Sequence, residues 1–212
     1  MQDYCDELFL RLFDPSIRRG HEAELVRDLP QIIREHGITK DTLSQGLYLA
    51  AQHKYFQCVK YLVRECGAVF HSFALVNLLR SDQNYTLEDV MNVVDAAGAD
   101  GGGGLEPNAT FSVDGRTILH IYCAKLRRHA RGGITTTSTV DLGVVKRMVE
   151  WGVNPSAVET REGLSALGML EQIMETPANH RQLSPRDVQE IKKIIDYLKS
   201  VSMHLRPQRS RF

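Results

Sequence analysis

Apolar residues along this chain recur at helical spacing in short blocks, and the blocks end alike. Over Leu47–Ala68, Leu47, Ala50 and Ala51 fall on one helical face; after a short break, Phe56, Val59, Leu62 and Val63 fall on another. The pattern predicts two short helices back to back, with small residues where a neighbour must come close. Gly67 stands where a helix end takes a left-handed residue. The same ending recurs at Ile32-Ile-Arg-Glu-His-Gly37, Val93-Val-Asp-Ala-Ala-Gly98 and Met148-Val-Glu-Trp-Gly152, with glycine spacings of 30, 31 and 54.

Extended along the chain, this pattern predicts an all-α protein. Helix pairs are expected over 3–13 and 21–36, then within 47–68, with Asp41–Leu47 as a lead-in. A third pair is expected over 72–81 and from Thr86, where Thr86-Leu-Glu-Asp89 resembles a capping box. A fourth follows over 117–126 and 140–151, and a fifth over 165–175 and 185–201. Ser184 and Pro185 form a strong start to the last helix, and Ile191, Ile194, Ile195 and Leu198 form its stripe. The long third spacing is explained by two insertions, 100–112, which contains Gly101–Gly104, and 125–139. Residues 202–212 are expected to be a flexible basic tail.

Between the insertions lies Asp114-Gly-Arg-Thr-Ile-Leu-His-Ile-Tyr-Cys123, which resembles the Gly-x-Thr-Pro-Leu-His signature of the ankyrin repeat family, with Ile118 in place of proline. The first two glycine spacings are near that family's period of about 33 residues. The resemblance implies one solenoid over residues 1–201, of about five stacked helix–turn–helix units. It assigns Thr117 to a helix cap, Gly115 to a turn with positive φ, Leu119 to the core and His120 to hydrogen bonds in the turn network. It also implies partner binding through the inner helices and loop tips lining a concave surface. On this chain those positions include Gln52, His53, Arg80 and Lys125 on inner helices, and Asp114, Arg116, Arg161 and Glu162 on loop tips. Arg127 and Arg128 are expected to add a positive edge suited to an acidic segment of a partner protein.

Lysine plus arginine equals aspartate plus glutamate, 26 each, so no global field steers the chain to nucleic acid or an anionic membrane. The apolar run Leu8–Phe13 is short and broken by Arg11, unlike a secretory signal, and no window approaches a membrane span. The four cysteines have no paired metal-ligand spacing, and reduced thiols suit the cytoplasm or nucleus. Asn108-Ala-Thr110 matches a glycosylation sequon, read here as chance. No Walker loop, Gly-x-Ser-x-Gly or His-Glu-x-x-His occurs. The expectation is a non-enzymatic protein-interaction module with no cofactor, metal or catalytic residue. Two alternatives are kept: nucleic-acid association through the basic segment 125–131 and the tail, and an enzyme with an unrecognised site, for which Cys58 or Cys66 with His53 is the nearest candidate.

Overall fold

A computed structural model describes residues 2–14, 22–81, 85–98, 104–110, 114–131, 140–176 and 183–204. Its described residues are all-α: ten helices, no strand, and one isolated bridge pairing Val158 with Ser165. The helices are α1 (Gln2–Arg11), α2 (Glu22–His36), α3 (Lys40–Gln52), α4 (Phe56–Arg64), α5 (Ser72–Ser81), α6 (Leu87–Ala97), α7 (Ile118–Ala130), α8 (Leu142–Glu150), α9 (Ala166–Glu175) and α10 (Pro185–His204). They gather into two compact units, one of residues 1–78 with 88–106, the other of 79–87 with 107–212.

In the first unit, α1 packs on α3 and α2 on α4, while α1–α2 and α3–α4 are the paired neighbours. This makes an inner row (α1, α3) and an outer row (α2, α4). The outer helices bury one stripe each: Leu25 and Leu29 on α2, and Cys58, Val59, Leu62 and Val63 on α4. Spacing of three and four residues puts each set on a single face. The α4 N-terminus has no cap of its own; the Glu22 carboxylate of α2 supplies one, accepting from Gln57 N at 2.6 Å and Cys58 N at 3.1 Å. At the other end Gly67 closes α4 at φ 65°, where Ala68 N donates to Leu62 O at 3.0 Å. Gly37, Gly98 and Gly152 also take positive φ, so all four endings picked out by pattern close helices in the same way.

The second unit repeats the arrangement. Helix α7 packs on α9, α8 on α10, and α9 on α10. Here Glu190 of α10 accepts from Leu142 N at 3.1 Å, again a carboxylate of one outer helix capping the N-terminus of another. Ser184 and Asp187 form a reciprocal cap at the start of α10, where Ser184 and Pro185 predicted a helix start.

Three boundaries differ from the sequence reading. Helix α3 begins at Lys40 and not at Leu47, because Thr39 accepts from Thr42 N at 3.2 Å and starts the helix early. Gly46 is therefore mid-helix, and its role is contact: a Cβ there would lie 2.6 Å from Phe9 Cε1. Phe9 and Phe13, edge to face at 5.4 Å, fill the place of its missing side chain. Gly46→Ala is expected to destabilise the chain by about 1–3 kcal/mol, although alanine is the better helix former; a rise in the urea midpoint would show that α1 moves aside freely.

Secondly, α7 continues to Ala130. Leu126 and Ala130 are buried one turn apart, and Arg127, Arg128 and His129 sit in the last turn, where cations suit the helix dipole. Residues 125–130 are thus helix, not the start of an insertion; 132–139 lie outside the described residues. Thirdly, α10 runs to His204, so the expected tail is helical at its start, and 205–212 lie outside the described residues. Of the Gly-rich insertion, residues 104–110 are described and are non-helical. Asn108 fixes part of it: its amide donates to Gly152 O at 2.8 Å and accepts from Asn154 N at 2.7 Å.

Candidate functional site

The second unit is organised around the loops that precede α7 and α9. Gly115 and Gly163 both adopt φ 66°, and Thr160 N donates to Asp114 O at 2.7 Å, tying one loop to the other. Thr117 begins α7 in a capping box with His120. His120 is fully buried; its Nδ1 accepts from Thr117 N at 3.2 Å and its Nε2 lies 3.2 Å from Leu164 O. A carbonyl partner for Nε2 and an N–H partner for Nδ1 define a neutral imidazole with its proton on Nε2. Burial holds the His120 pKa below the usual histidine value, although the Leu164 carbonyl pulls it the other way.

That direction sets a pH dependence. An unfolded histidine titrates near about 6.5, so below that value the unfolded chain takes up a proton that folded His120 resists. The contribution is complete above the unfolded value and is lost as pH falls through the lower folded value. Thermal melts at pH 7.5 and 5.5 should show a smaller loss for His120→Asn than for the parent chain; parallel losses would mean that His120 titrates normally.

The loop tips hold an ionic cluster. Glu159 is completely buried; its carboxylate accepts from Arg116 Nε at 3.2 Å, from Arg161 N at 3.3 Å and from Glu162 N. Burial alone would raise its pKa, but the Glu162 N–H and the Arg116 guanidinium outweigh that and hold it below the ordinary range. Arg127 forms a two-pronged pair with Glu162, at 2.6 and 2.7 Å, and reaches Gln172 at 3.3 Å. Arg127 in turn holds the Glu162 carboxyl low.

Several expected contact residues are therefore otherwise engaged. Arg116, read as a free loop tip, is half-buried on Glu159. Lys125, read as a groove residue, is 3% exposed and donates to Tyr85 O at 2.7 Å. It also donates to Leu79 O of α5 at 3.4 Å, so its long stem is buried while the ammonium meets carbonyls. Arg127 contributes little positive edge, because Glu162 already answers its charge. Arg128 and Arg161 are exposed, and Asp114 is half-buried. Arg80 lies on α5 with its side chain outside the described residues. Gln52 and His53 belong to the first unit, where both are half-buried. Glu159 escaped the sequence reading because Ala157–Glu162 looks like an ordinary polar loop.

In the first unit the inner row leaves an open apolar groove. One cavity of about 380 Å³ has Leu10, Tyr48, Leu49, Val69 and Ala74 as its apolar wall, and Ser44, Gln45 and His71 as its polar groups. An adjoining cavity of about 590 Å³ shares Leu10 and Leu49 and adds Glu7, Arg11, Asp14 and His53. Among the described residues, His53 is the one expected contact residue that lines this groove; the apolar wall carried no separate signal, because its residues are spaced like core. A depression of about 730 Å³ in the second unit, between Val149, Pro155, Val158 and Val201, lies on the outer row and has no charged lining.

The chemistry of a reactive thiol runs the wrong way here. Burial pushes the Cys58 thiol up to about 12 and raises Cys66 as well, whereas a nucleophile needs a depressed value. Among the described residues no group of three or more His, Cys, Asp or Glu is placed to hold a metal ion, and no helix is long and apolar enough to cross a membrane. Compared with known proteins, the chain matches no family model, no curated protein and no solved structure.

Proposed function

We propose that this chain is a non-enzymatic protein-interaction module, built as an ankyrin-type solenoid of about five helix pairs and acting in the cytoplasm or nucleus. The observation that carries the reading is the open apolar groove on the inner row of the first unit. Exposed apolar clefts beside charged rims are where soluble proteins take partners. Support for the repeat type comes from three local features: helix pairs closed by left-handed glycines, the Thr117–His120 cap, and the bond between the loops at Asp114 and Thr160. Buried free thiols at Cys58 and Cys123 suit a reducing compartment. Nucleic-acid association loses ground, because Lys125 is buried and Arg127 is paired.

Site-specific photocrosslinking tests this. A photoreactive residue at Gln45 or Tyr48 samples the inner row, and one at the exposed Lys60 samples the outer row. In extract of the native source, one protein should crosslink from 45 and 48 and not from 60. The purified partner should then bind the chain and lose that binding on Leu49→Glu. Crosslinks from the outer row alone, or to nucleic acid, would overturn the reading.

A further inference from the structure

We draw no further inference here: the strongest candidate, the depression of about 730 Å³ between Val149, Pro155, Val158 and Val201 in the second unit, is an uncharged open face, and nothing in the structure shows what covers it.

Discussion

Glu159→Ala is expected to lower the unfolding free energy by about 3–5 kcal/mol, the range for removing one partner of a buried ion pair. The carboxylate is fully buried, and its removal strands the half-buried Arg116 guanidinium and the N–H groups of Arg161 and Glu162. Glu159→Gln keeps the shape and some of the hydrogen bonds and should lose less. The charge also has a pH signature. With its folded pKa held below the ordinary 4.5, Glu159 contributes stability that is present above about 4.5 and lost as pH falls through the folded value. Urea denaturation at pH 7 and pH 3.5 measures both effects: the parent and Glu159→Ala should converge at the lower pH. A loss at pH 7 under about 0.5 kcal/mol, the range of ordinary surface changes, would mean that the loop before α9 rearranges around the gap.

Leu119→Ala is expected to be about as damaging. The side chain is 1% exposed on α7, and large-to-small changes at such sites cost about 2–5 kcal/mol. Arg116→Ala, at a position that the sequence reading placed on a loop tip, should also be clearly destabilising, because it leaves Glu159 buried with one fewer cation. The exposed Arg161→Ala is the appropriate neutral control, since its contribution to Glu159 is made by the backbone N–H. Equal midpoints for Leu119→Ala and the Arg161 control would place Leu119 outside the core.

What could be read from the sequence was whatever depends on residues close in the chain. Helical stripes on α4 and α10, the left-handed glycines after α2, α4, α6 and α8, the Ser184 start of α10 and the Thr117–His120 cap are each set by contacts within a few positions. Periodicity and capping are local properties, so a single chain displays them. Where a local signal misled, a distant partner was responsible. Gly46 was read as part of a lead-in and is a helix interior, where a Cβ would meet Phe9. Arg127 looked like part of a basic loop and lies on a helix, answered by Glu162 across 35 positions.

The tertiary structure alone decided which charges are spent and which surface is open. Lys125 and Glu159 have the composition of solvent-exposed residues, yet both are buried because carbonyls and a guanidinium some 40 positions away satisfy them. Leu10, Leu49 and Ala74 have the spacing of core residues, yet they line an open groove. Composition states what a side chain prefers; whether the preference is met depends on what the fold brings to it from elsewhere in the chain.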